Sequence, residues 1–138
     1  MRVVLDTNAF LSCIGKRSPY RNVFDAFLNA RFELCISTEI LLEYEEKFID
    51  FWGIEVAQNL LGVILTSENV IRESPFFHFG LVVGDEDDNK FSDTYVSSGA
   101  DILVSNDKRV LAIDENGFPP VKTMTLQEFS HLLIETDK

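Results

Sequence analysis

Cysteine and histidine are scarce in these 138 residues: two of each, Cys13, Cys35, His78 and His131, with no CxxC spacing and no close histidine pair. That shortage removes the sulfur and imidazole sets from which zinc sites are built. It also removes a disulfide framework, and the two cysteines, both in apolar surroundings, are expected as buried free thiols. No apolar run approaches the roughly 18 residues of a membrane span, and no early stretch joins a basic segment to an apolar run and a small-residue cleavage site. No membrane association is expected, and a cytoplasmic location is expected with it. Repeats, low-complexity tracts and Pro/Ser-rich linkers are missing too, so nothing divides the sequence and residues 1–138 are expected to form a single domain.

Basic residues are the other shortage. Twelve Lys and Arg stand against 23 Asp and Glu, for a net charge of −11. A chain so acidic repels a polyanion unless its charge is unevenly placed or neutralised by cations, whereas a basic protein partner suits it.

What the chain has in quantity is apolar residues, 46% of the total with twelve Phe, and they alternate in period. Arg2–Leu5 is a short β-rich run ending at Asp6. Tyr20–Ala30 places Val23, Phe24, Phe27 and Leu28 on one helical stripe, and "FELCIS" (32–37) returns to a β-like run. A helix is predicted from Ser37 or Thr38 to about Phe51, and a second over Glu55–Leu65 with Val56, Leu60, Val63 and Ile64 at helical spacing. Asn89–Ser98 reads as a helix closed by Gly99, "DILVS" (101–105) as a buried strand, Lys108–Ile113 as a short helix and "PVKTM" (120–124) as a last strand. Thr125 and Glu128 have capping-box spacing, opening a helix through Leu133. This alternation predicts a three-layer α/β/α domain around a central, mostly parallel sheet.

In such sheets ligands bind beyond the carboxyl ends of the strands. Asp6 and Asp107 each follow a predicted strand there. Asp88 stands at a helix start within "VVGDEDDNKFSD" (82–93), and Glu43 lies about one and a half turns into the helix after "FELCI". Each acid has an ordinary explanation, as a cap, a turn residue or a solvated helix position. Converging without a counter-ion, however, they would repel by about 4 kcal/mol per pair at 4 Å and an effective dielectric near 20. Such a cluster implies a cation, and an all-oxygen donor set selects Mg²⁺ or Mn²⁺. One or two such ions suit hydrolysis of a phosphodiester.

"VVLDTN" (3–8), "STEILLEYEEKF" (37–48), "DEDDNKFSD" (85–93) and "ADILVSNDKRVL" (100–111) resemble, in order and spacing, the four acidic motifs of the PIN domain. The likeness covers nearly the whole chain and is strongest to the prokaryotic VapC-like PIN ribonucleases of toxin–antitoxin pairs; "DDNKF" is its most specific element. The resemblance implies a metal-dependent endoribonuclease with RNA as substrate, and a small antitoxin that covers the site; the net charge suits a basic one. It maps Asp6, Glu43, Asp88 and Asp107 onto the catalytic, metal-binding carboxylates, with Asp93 next in rank as a ligand. Asn8 and Ser105 match site-orienting positions. Lys90, Lys108, Arg109, Lys16 and Arg17 sit beside the motifs and are candidates for substrate phosphate contacts.

Phe48, Phe51 and Trp52, and then Phe76, Phe77 and Phe79, read first as core, with a base-stacking platform or a homodimer or partner surface as the alternative. His78 lacks a base or ligand partner. The rival functions are a PIN-like module that binds nucleic acid or a partner without cutting, a flap-type DNA nuclease whose helical arch has no room in this length, and a phosphotransfer protein, disfavoured because Asp6-Thr7-Asn8 lacks the DxDxT arrangement.

Overall fold

Strand β1 (Arg2–Leu5) lies at the centre of the sheet, and Val3, Val4 and Leu5 are all buried. The computed structural model describes residues 1–74, 80–82, 86–113 and 115–137, with the backbone alone at 86–88. Along the chain follow helices α1 (Thr7–Ile14) and α2 (Arg21–Leu28), β2 (Glu33–Ile36), α3 (Thr38–Trp52), α4 (Ile54–Thr66) and β3 (Val70–Arg72). Then come α5 (Glu86–Ser98), β4 (Ile102–Val104), α6 (Lys108–Leu111), β5 (Thr123–Met124) and α7 (Leu126–Thr136). The strands are ordered β3-β2-β1-β4-β5, and every described pairing is parallel.

Successive strand residues point to opposite faces, so a strand buried at consecutive positions is covered on both. Leu34, Cys35 and Ile36 of β2 and Ile102, Leu103 and Val104 of β4 meet that condition. The result is the expected three-layer α/β/α architecture. On the helical layers α1 packs against α2 and α3, α2 against α7, and α3 against α4, while α5 lies on β1, β2 and β4. Both cysteines are buried and free, and burial raises the Cys13 thiol to about 12, which leaves it inert. No helix among the described residues is long and apolar enough to cross a membrane.

Caps open the helices where the sequence placed them. Asp6 accepts the Ala9 N–H at 2.8 Å, Ser37 accepts the Ile40 N–H at 3.2 Å, and Thr125 with Glu128 closes a capping box on α7. Gly99, at φ 66°, ends α5 in the left-handed region that favours glycine.

The differences from expectation have physical reasons. Strand β3 is missing from the sequence reading; it is a three-residue edge strand with no fully buried position. Leu28 and Val56 lie on helical stripes yet are 48% and 40% exposed. Leu28 is in the last turn of α2, and α4 packs on α3, burying only Ala57 and Ile64. Helix α5 starts three residues before Asn89, so Asp88 lies in its first turn. Helix α6 and strand β5 are shorter than predicted, and α7 runs on to Thr136. Phe76, Phe77, His78 and Phe79 lie outside the described residues.

Candidate active site

From β1 the chain crosses to β2 and β3 on one side and returns to β4 and β5 on the other. The switch point, where a crevice opens beyond the strand ends, is therefore between β1 and β4. Their register pairs Leu5 with Val104, so the next residues, Asp6 and Ser105, emerge side by side. The Asp6 N–H donates to the Val104 carbonyl at 3.0 Å and continues the ladder to the rim.

A cleft of about 290 Å³ opens at this rim, lined by Asp6, Thr7, Asn8 and Phe91, by Glu43 and Lys47 of α3, and by Asn106 and Asp107. Three of the four predicted catalytic carboxylates thus share one cleft. The side chain of the fourth, Asp88, lies outside the described residues, and so do those of Glu86 and Asp87. Asp93 is buried within α5 and is not among the described residues lining the cleft.

Each carboxylate is held differently. Asp6, 6% exposed, receives the Ala9 N–H on Oδ1 and the Ser105 hydroxyl on Oδ2. Both donors are neutral, and among the described residues no cation pairs with Asp6. Burial raises its pKa above the ordinary carboxylate value; the two hydrogen bonds oppose that shift, and the charges of Asp107 and Glu43 add to it. Glu43 takes the Thr7 hydroxyl on Oε2 and the Lys90 ammonium on Oε1 at 2.9 Å. Asp107 caps α6 by accepting the Arg109 N–H at 2.8 Å and pairs with the Arg109 guanidinium at 3.2 Å; its own N–H donates to Ser105 Oγ at 3.0 Å. Ser105 therefore links Asp6 to Asp107.

Tyr44 fixes the distance between the helix and the strand. Fully buried, it donates from its hydroxyl to the Leu5 carbonyl at 2.5 Å, so the residue after Glu43 is tied to the residue before Asp6. Burial holds its pKa well above the usual tyrosine value, keeping the donor proton in place. Tyr44→Phe removes this donor from a buried carbonyl and is expected to lower stability by about 1–2 kcal/mol, read as a lower urea midpoint with an unchanged m-value.

Among the basic candidates, Lys90 is 13% exposed and engaged with Glu43, while Lys16, Arg17 and Lys108 are exposed. Thr7 and Lys47 were not singled out from the sequence. Lys47 carries a usable signal, since it follows Glu43 by four residues and so shares its helix face. Thr7 becomes a candidate only once α1 is seen to start beside Glu43.

Among the described residues, no three His, Cys, Asp or Glu side chains already stand close enough to hold a metal ion. The donor set nonetheless fits one. Asp6, Glu43 and Asp107 offer only oxygen, the most buried of them has no cationic partner among the described residues, and a cleft of this size leaves room for an ion that keeps part of its water shell.

A PIN domain profile matches residues 2–109, and the chain belongs to the PIN domain family. Solved structures agree on the fold. VapBC2 from Rickettsia felis, bound to a DNA fragment from its promoter, is similar at a TM-score of 0.64 and 20% identity over 91% of this chain and 98% of that one. DNA-bound VapBC from Salmonella typhimurium matches at 0.64 and 16%, over the same shares. The PIN domain endonuclease Utp24 matches at 0.52 and 20%, over 90% of this chain and 84% of that one. No curated protein matches the sequence.

Proposed function

We propose that this PIN domain protein is a Mg²⁺- or Mn²⁺-dependent endoribonuclease that hydrolyses RNA phosphodiester bonds, and that it is the toxin component of a toxin–antitoxin pair. The observation that carries the reading is Asp6, a buried carboxylate at the sheet's switch point, with neutral donors and two further carboxylates lining its cleft. Such a charge is costly to bury without a cation. Asp6, Glu43 and Asp107 would hold that cation, joined by Asp88 from the first turn of α5. When bound, the ion supplies positive charge against the phosphodiester oxygens and activates water for attack on phosphorus, with no covalent enzyme intermediate.

The chain's own residues orient and bind. Ser105 and the Ala9 N–H fix both oxygens of Asp6, and Thr7 with Lys90 fixes both of Glu43, so neither rotates away from the cleft. Lys47 and Asn106 line the same cleft and present donors for phosphate oxygens, while Lys16, Arg17 and Lys108 are exposed for contacts on either side of the scissile bond. The resemblance to VapBC complexes and the net charge of −11 favour a basic antitoxin as partner.

Digestion of structured and unstructured RNA and DNA in Mg²⁺, Mn²⁺ or EDTA tests the reading. RNA is expected to be cut only with metal, and affinity to fall with salt at a log–log slope of about −2, the value for about three phosphate contacts on a single strand. Cleavage that persists in EDTA, or a salt-independent affinity, would overturn it. Metal-independent RNA binding without any cleavage would favour the rival, a binding module that does not cut.

A further inference from the structure

A second groove begins where the catalytic cleft ends. It is lined by Asn8, Ser12, Gly15, Arg17, Phe51 and Trp52 among others, has a volume of about 450 Å³, and shares Asn8 with the cleft. Its position follows from the fold: α1 and α3 both start at the active rim, and the groove runs between α1 and the end of α3. Asn8 to Gly15 is seven residues of α1 and the cap that follows it, roughly 10 Å at about 1.5 Å each. That is the reach of about three stacked nucleotides at about 3.4 Å apiece.

The aromatic pair in this groove is not core. Phe48, one turn earlier, is fully buried against Phe10 and Tyr44, whereas Phe51 is 69% and Trp52 36% exposed. Their rings meet edge to face at 5.4 Å, and the edge of the Trp52 indole lies beside Gly15. The result is an open π-surface braced from behind, with the exposed Arg17 in the same lining. A cation and aromatic faces joined to a catalytic rim are the elements by which single strands are held, because every base has a π-face and every linker a phosphate. In a protein of net charge −11, a patch supplying arginine and aromatics beside the cleft matches a polyanion with bases better than it matches a basic peptide.

We infer that Phe51, Trp52 and Arg17 form a base-stacking subsite for the single-stranded RNA segment flanking the scissile phosphate. This rests on the nuclease reading above and deepens it by naming the residues that would hold the strand beside the cleft: the rings stack unpaired bases, which a duplex does not offer them.

Trp52 is the chain's only tryptophan, so its emission reports on the subsite directly. The test titrates the full chain, in EDTA to prevent turnover, with single-stranded RNA of about a dozen nucleotides, an abasic strand of the same length and a duplex. Binding is followed by anisotropy of labelled nucleic acid and stacking by Trp52 fluorescence. The single strand is expected to quench Trp52 saturably, and the abasic strand and the duplex to leave it unchanged. Phe51→Ala, at an exposed position, is expected to weaken single-strand binding about tenfold and abasic binding not at all. RNA that binds, or is cut in a parallel Mn²⁺ digestion, without changing Trp52 emission would overturn the subsite and leave the nuclease reading standing. Quenching without metal-dependent cleavage would support the subsite and remove the nuclease. Emission that shifts with protein concentration alone would overturn the subsite in favour of a second copy of the chain on this face.

Discussion

Asp6→Asn is expected to lower metal-dependent RNA cleavage by more than about 100-fold, since losing a ligand exceeds the 10–100-fold cost of losing a group behind one. The same substitution is expected to raise the melting temperature in EDTA. Burial and the neighbouring charges place the Asp6 pKa above its unfolded value, so its ionised form opposes folding. The stability associated with this group is present in full below the ordinary carboxylate range and is lost as pH rises through the raised pKa. At neutral pH without metal the wild type carries that penalty, and the amide does not. Adding Mg²⁺ or Mn²⁺ should reverse the ranking, stabilising the wild type by mass action and leaving the variant where it was. Asp88→Asn is expected to abolish cleavage as well. Turnover and thermal scans with and without metal decide the matter, and unchanged turnover in both variants removes the carboxylate assignment.

The largest effect on stability is expected at Phe10. Its ring is 1% exposed, with centroids 5.0 Å from Tyr44, 5.6 Å from Phe48, 6.1 Å from Phe24 and 6.2 Å from Phe27. It thereby joins α1 to α2 and α3, the three elements that surround the first two acidic motifs. Phe10→Ala leaves a cavity under α1 whose walls are rings on two other helices, α2 and α3, which cannot both close in on it. A loss of about 3–5 kcal/mol is expected, measured by urea unfolding at equilibrium. A loss under about 1 kcal/mol would show that these helices repack independently of the ring. Because α1 begins at Asp6 and α3 carries Glu43, metal affinity in the surviving folded fraction should fall too.

How much of this was legible in the sequence depended on whether the signal was local. Asp6 and Asp107 could be placed because a β-rich run ending in an acid is visible in a few residues, and parallel strands share a rim. The capping box at Thr125 and the glycine after Ser98 were legible for the same reason. Strand β3 was not, because its three residues between Glu68 and Glu73 are too few to show a period, and the order of the strands decides that they pair with β2. The direction of Lys90 was also hidden. It reads as a residue facing substrate, but the phase of α5 and the position of α3 bring its ammonium to Glu43. Trp52 and Phe51 read first as core because aromatics beside a buried Phe48 usually are; the structure instead puts them in the last turn of α3, lining the second groove.

The pairing of β1 with β4 has a consequence for synthesis. Asp6 meets Ser105 across a sequence separation of 99 residues, and the register that aligns them exists only once Ile102–Val104 has joined the sheet. A growing chain on a ribosome exposes its first acidic motif early, yet has no assembled site until its fourth motif has emerged and the long loop has closed. On the proposed nuclease reading, the capacity to cut therefore waits on closure of the sheet, because Asp6 and Asp107 share no cleft before it.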